Sequence, residues 1–131
     1  LLWVNMILGR FEERGKLIFE VELVTANGEG IAVDALLDTG FTTGFLAVHA
    51  DDIEALGWPI LTSEVEMQTA RGTEYFDIYE GRVIVDSREF IVPVHVGSDL
   101  PEILFGRQWL SLMKLVIDER NKILTLEYVG E

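Results

Sequence analysis

The chain has 131 residues, 49% apolar and 25% charged, with ten Lys and Arg against 23 Asp and Glu for a formal charge of −13. That length suits one hydrophobic core and is short for two, and the acidic balance makes nucleic acid a poor partner, because the phosphate backbone rewards clustered Lys and Arg. Cysteine is absent, which excludes disulfides and thiolate metal sites, and no apolar run reaches the length of a membrane span. The mean hydropathy of +0.26 is high for a small chain in water, as expected of a subunit that hides apolar surface against a partner.

Residues 1–8 (LLWVNMIL) are apolar but lack a basic leader and a small-residue cleavage site, so they read as a first strand or its lead-in, with Met6 a candidate initiator. Residues 16–25 (KLIFEVELVT) alternate apolar and polar side chains and predict a strand. Asn27-Gly28 is a hairpin turn signal, and 31–37 (IAVDALL) returns as a more apolar strand. Gly28-Glu29-Gly30 is no phosphate loop, because no helix follows it. Residues 44–48 form another strand, and 49–56 (HADDIEAL) one short helix ended by Gly57 and Pro59. Asp51 and Asp52 sit in its first turn, where they favour the positive end of the dipole; as neighbours on a helix they diverge and make a poor catalytic pair.

Residues 63–70 and 73–79 read as two arms of a hairpin around Arg71-Gly72, and 82–86 with 89–96 as another pair. Residues 106–113 (GRQWLSLM) have helical spacing after the apolar run Ile103-Leu104-Phe105, and strands 115–117 and 123–128 flank the polar turn 118–122. Closely spaced strands with one or two short helices predict an all-β sandwich or barrel. No linker or repeat interrupts the chain, so 1–131 is expected to be a single domain with its core at about 16–128 and a lead-in over 1–15. His49 and His95 are far apart and lack metal-ligand spacing, so both are expected to be structural. Neither a metal nor a cofactor is expected, and the absence of targeting signals and cysteine points to the cytoplasm.

Two segments carry the chemistry. In Ala35-Leu36-Leu37-Asp38-Thr39-Gly40 a carboxylate follows an apolar strand, where burying it is costly unless hydrogen bonds or function compensate. Gly40 allows a sharp turn that brings N–H groups to the acid, and Thr39 offers a hydroxyl. Asp-Thr-Gly by itself also fits a strand-ending Asx turn. The second segment, Pro101-Glu102-Ile103-Leu104-Phe105-Gly106-Arg107, adds a distant apolar run that ends in Gly-Arg.

Together these segments resemble the retropepsin-like aspartic proteases, the retroviral enzymes and their single-domain bacterial relatives. Leu36-Leu37-Asp38-Thr39-Gly40 looks like the catalytic loop, and Ile103-Leu104-Phe105-Gly106-Arg107 like the Gly-Arg signature that opens a short helix. The hairpin tipped by Arg71-Gly72 lies between them, where the family carries its flap. The resemblance implies an all-β, closed barrel-like retropepsin fold with one active site per homodimer, acting on a peptide or protein substrate between bulky apolar residues. It further implies roles for single residues: Asp38 as catalytic acid, Thr39 bridging the subunits, Gly40 presenting backbone to substrate, and Phe41 and Leu104 at the substrate pockets. Arg71, Gly72 and Thr73 would close over the bound peptide, and strand 123–128 would join an interface sheet.

Aspartic proteolysis needs two carboxylates that share a proton, and this chain has one Asp-Thr-Gly. The second acid would therefore come from a second copy. The sequence departs from retroviral enzymes at Phe41, at Thr42 in place of an acid that pairs with the Gly-Arg arginine, and at a flap with one glycine, so Arg107 must find another partner. The alternative reading is a catalytically silent module of the same fold that dimerises or binds peptide.

Overall fold

The computed structural model describes residues 6–69 and 71–130. β1 (Ile7–Leu8) and β2 (Arg10–Glu12) are short lead-in strands before β3 (Lys16–Val24). The alternation in β3 sends Phe19, Val21 and Leu23 into the core. The Asn27-Gly28 turn, with Gly28 at φ +88, reverses the chain into β4 (Gly30–Asp38), and only glycine adopts that backbone freely. β5 (Leu46–His49) leads into a 3-10 turn over Ala50–Asp52 and the single-turn helix α1 (Ile53–Leu56), which Gly57 ends in the left-handed conformation. The expected helix over 49–56 is thus a composite whose opening turn is 3-10.

β6 (Ile60–Thr69) and β7 (Gly72–Val85) form the long hairpin expected around Arg71-Gly72. β7 runs unbroken through the stretch where two strands were expected. Gly81 lies in the gap between those two expected strands, and a β-carbon there would stand 2.4 Å from the Val94 side chain and 3.1 Å from the Trp58 ring. This glycine permits close packing inside a strand and does not mark a turn. Asp86 and Ser87, both at positive φ, turn the chain into β8 (Arg88–Gly97), followed by β9 (Ile103–Gly106). The helical spacing of 106–113 resolves into a 3-10 helix over Arg107–Ser111. β10 (Met113–Asp118) and β11 (Ile123–Tyr128) end the fold.

Strand pairing closes a ring in the order β3-β4-β9-β5-β8-β7, and β7 returns to β3 through Glu22↔Ile84 and Leu23↔Val83. This is a closed six-stranded barrel, in keeping with the closed barrel-like fold that the resemblance implied. Two of its pairings, β4–β9 and β5–β8, are parallel. The core is built around Trp109, which stacks on Phe105 at 5.5 Å between ring centroids and meets Phe45 and Phe90 edge-on. A separate sheet in the order β1-β11-β10 packs Met113, Leu124 and Leu126 on the same core. At Thr125 and Leu126 both edges of β11 are paired within the chain, which leaves β1 and β10 as the edges of that sheet among the described residues. Among those residues no helix is long and apolar enough to cross a membrane.

Candidate active site

The parallel pairing of β4 with β9 sets Asp38 opposite Gly106, so the two sequence segments singled out for their chemistry end side by side. The loop after Asp38 is clamped to the start of the 3-10 helix by backbone hydrogen bonds. Gly106 N–H donates to Phe45 O at 2.7 Å, Arg107 N–H to Phe41 O at 2.9 Å and Gln108 N–H to Gly44 O at 3.1 Å. Gly106 is required for this contact, since a β-carbon there would lie 2.0 Å from Gly44 O. Its neighbour Arg107 serves the loop through its main chain. The guanidinium is exposed, and the partner expected for it is not found among the described residues.

Asp38 Oδ1 accepts the Gly40 N–H at 3.0 Å, and Phe41 N–H donates to Asp38 O at 3.1 Å. This is the tight Asx-type turn that glycine makes possible, and it fixes one carboxylate oxygen while leaving the other free. The sequence led us to expect a buried acid. In the single chain Asp38 is only half-buried and Thr39 and Gly40 are exposed, because the loop leaves the barrel at an open cleft.

That cleft has a volume of about 620 Å³. Asp38, Gly40 and Phe41 stand on one side, Leu104 and Leu100 on the floor, and Arg71 on the hairpin above. Of the residues expected at the site, Thr39, Gly72 and Thr73 do not line it. Thr73 pairs across the hairpin with Gln68 and accepts a hydrogen bond from its Nε2 at 2.9 Å. Gly72 supplies the φ of +106 that turns the hairpin tip.

The sequence reading missed the apolar underside of the hairpin. Met67 and Phe76 pack with Ala47, Leu100, Phe41 and Leu104 in a small cluster that lines the cleft. A signal was present: once Thr69 is paired with Gly72, period-two alternation puts Met67 and Phe76 on one face of the hairpin. Glu74, directly opposite Met67, was also missed. It accepts from the Thr69 hydroxyl and from Arg71 Nη2, and the same Nη2 donates to Asp99 O at 2.8 Å, tying the hairpin tip to the loop before β9.

The two histidines make different local contacts. His49 Nδ1 accepts the Asp51 N–H and caps the 3-10 turn. His95 is buried against Phe41 and Phe76, and burial lowers its pKa from the ordinary imidazole value. Among the described residues no three His, Cys, Asp or Glu side chains come together as a metal site would require.

No protein-family model and no curated protein sequence matches the chain. Solved structures do. A retropepsin-like aspartic protease from Rickettsia conorii is 24% identical and superposes with a TM-score of 0.64, covering 98% of this chain and 97% of that one. The EIAV protease complexed with the inhibitor HBY-793 is 16% identical, with a TM-score of 0.59 over 77% of this chain and 90% of that one. A closed barrel in which Asp-Thr-Gly meets Gly-Arg beneath a long hairpin, together with these likenesses, gives this chain the retropepsin-like fold.

Proposed function

We propose that the chain is one subunit of a homodimeric aspartic endopeptidase. The observation that carries this reading is the place of Asp38: a carboxylate held by its own loop at the mouth of a cleft that a hairpin overhangs. One such acid cannot perform the reaction. The partner subunit's Asp38 supplies the second, and two carboxyls about 3 Å apart hold one proton between them, because both cannot ionise at that distance. The ionised carboxylate takes a proton from a water as it attacks the peptide carbonyl carbon. The protonated one donates to the carbonyl oxygen, and collapse of the tetrahedral adduct expels the amine as a proton returns to it.

The exposed Thr39 and Gly40 suit this arrangement. Thr39 hydrogen-bonds across the two-fold axis and holds the two loops in register, and Gly40 presents its backbone to substrate. An extended peptide lies between floor and hairpin as an added strand, bound through its main chain. Phe41 and Leu104 receive bulky apolar side chains, and the hairpin tip at Arg71, Gly72 and Thr73 closes over the peptide and excludes water. An apolar row on the outer face of the three-stranded sheet supports self-association: Leu8 and Val116 both lie opposite Thr125, and both are exposed in the single chain.

Subunit mixing tests the shared site. Adding an equal amount of Asp38→Asn chain to a fixed amount of wild type redistributes the subunits, and the number of dimers with two acids falls to about half. Activity should fall with it. Activity that stays constant on mixing would mean that each subunit works alone.

A further inference from the structure

His95 occupies the middle of β8 with its neighbours Val94 and Val96 in the barrel core. The histidine faces the other way and lies opposite Ile78 of β7 and Ala47 of β5. Its ring meets Phe41 edge-on, with centroids 5.0 Å apart and planes at 90°, and Phe76 at 5.9 Å and 70°. Phe41 follows directly on Asp38-Thr39-Gly40, donates to Asp38 O and accepts from Arg107 N–H. The imidazole is therefore a wedge behind the loop that carries Asp38. It is 9% exposed, and its Nδ1 is buried with no hydrogen-bond partner among the described residues.

A neutral imidazole packs in such a place as an aromatic ring does. A cation there loses its water and gains no counter-charge, and attraction to the two phenyl rings offsets only part of that loss. The charged groups on the packed elements are occupied or turned to solvent. From the loop, Asp38 is held by Gly40 N–H. From β7, Glu74 is held by Thr69 and Arg71, Asp77 accepts Glu64 N–H, and Glu80 is exposed. From β5, His49 is the cap on Asp51 N–H. From β6, Glu66 is exposed beside the Tyr75 hydroxyl, and from the segment before β9, Asp99 is exposed and Glu102 pairs with Lys16. On β8 the same-face neighbours are Pro93 and Gly97, which carry no charge.

We propose that His95 is a positioning residue that holds the Asp38 loop in place only while its imidazole is neutral, so that acidification loosens the loop. The loop response does not depend on proteolysis. Its consequence rests on the proposed activity: a dyad of carboxyls favours acid, and His95 sets a lower limit to the pH at which the dyad is kept aligned.

Amide exchange at 39–44 tests this with no substrate present. Between about pH 7 and about 5, protection factors in the wild type should fall by up to about tenfold per pH unit, the dependence expected for uptake of one proton on opening. In His95→Leu they should stay level. The same fall in both proteins overturns the proposal, and so does protection that stays level in both. Should His95→Leu not fold, nuclear magnetic resonance of the wild-type imidazole decides: titration below the ordinary value, with Phe41 resonances moving in the same step, supports the role, and titration at or above it refutes it. With a peptide substrate, the acid limb of kcat/KM should move to lower pH in His95→Leu. If the wild type cleaves nothing at any pH, the proteolytic reading fails, and the exchange experiment still judges His95.

Discussion

Gly106 and Gly44 approach so closely that a β-carbon on Gly106 would lie 2.0 Å from the Gly44 carbonyl oxygen and 2.8 Å from the Phe41 ring. The contact joins the Gly-Arg segment to the loop that follows Asp38, and it gives the pairing of the two motifs a physical cause. Gly106→Ala should cost about 1–3 kcal/mol, the range for overpacking a filled site, as measured by urea unfolding. Because the clash is with the loop that carries Asp38, cleavage by the proposed dyad should fall by more than the loss of folded protein explains.

Arg71 ties the hairpin tip to Asp99 O at 2.8 Å and to Glu74 at 3.3 Å. Arg71 is 60% exposed at its side chain, so Arg71→Ala should change global stability by less than about 1 kcal/mol. Amide exchange at 66–75 should nonetheless accelerate, since the tip loses its tether to the floor. Unchanged exchange there would show that the tether does not restrain the hairpin.

Two subunits of formal charge −13 repel each other. Raising salt at a fixed pH near 7 should therefore tighten the dimer in sedimentation equilibrium, most steeply at ionic strengths below about 0.15 M, where the screening length is longest. Holding pH constant keeps His95 neutral and separates repulsion from loop loosening. A dissociation constant that does not respond to salt would remove charge as the limit on assembly.

Stability should decline with acid in two windows. His95 titrates below its ordinary 6.5 because it is buried, so it favours folding above that value and the contribution is lost as pH falls through and below it. Asp34 is held below 3.8 by its hydrogen bond from Arg10, and Asp118 by those from Asn121. Their contribution is present above 3.8 and is lost as pH falls beneath it. In thermal unfolding against pH, His95→Leu should erase the upper window and leave the lower one; loss of both would contradict the assignment.

Much of the fold was legible because it is written in alternation and turns. Phe19, Val21 and Leu23 face the core as the period of β3 demands, and Asn27-Gly28 and Arg71-Gly72 turn the chain where they stand. The break expected between 79 and 82 is absent, since Gly81 sits inside β7 where Val94 and Trp58 pack against it. The pairing of Asp38 with Gly106 was accessible only through resemblance, since nothing local joins residues so far apart in sequence. The tie from Arg71 to Asp99 O and the wedge of His95 behind Phe41 are tertiary contacts with no local signature. Strand 123–128 was expected to join an interface sheet, and within its own chain it is paired on both edges at Thr125 and Leu126; alternation fixes faces and leaves the choice of neighbour open.

The most direct measurement is cleavage of a diverse peptide mixture from about pH 3.5 to about 7, spanning the protonation states of a carboxyl dyad, with wild type beside Asp38→Asn and both shown to be folded dimers. The account predicts cuts next to bulky apolar residues by the wild type and none by the variant. Cleavage that survives in Asp38→Asn, or a folded wild-type dimer that cuts nothing across the whole range, would contradict it.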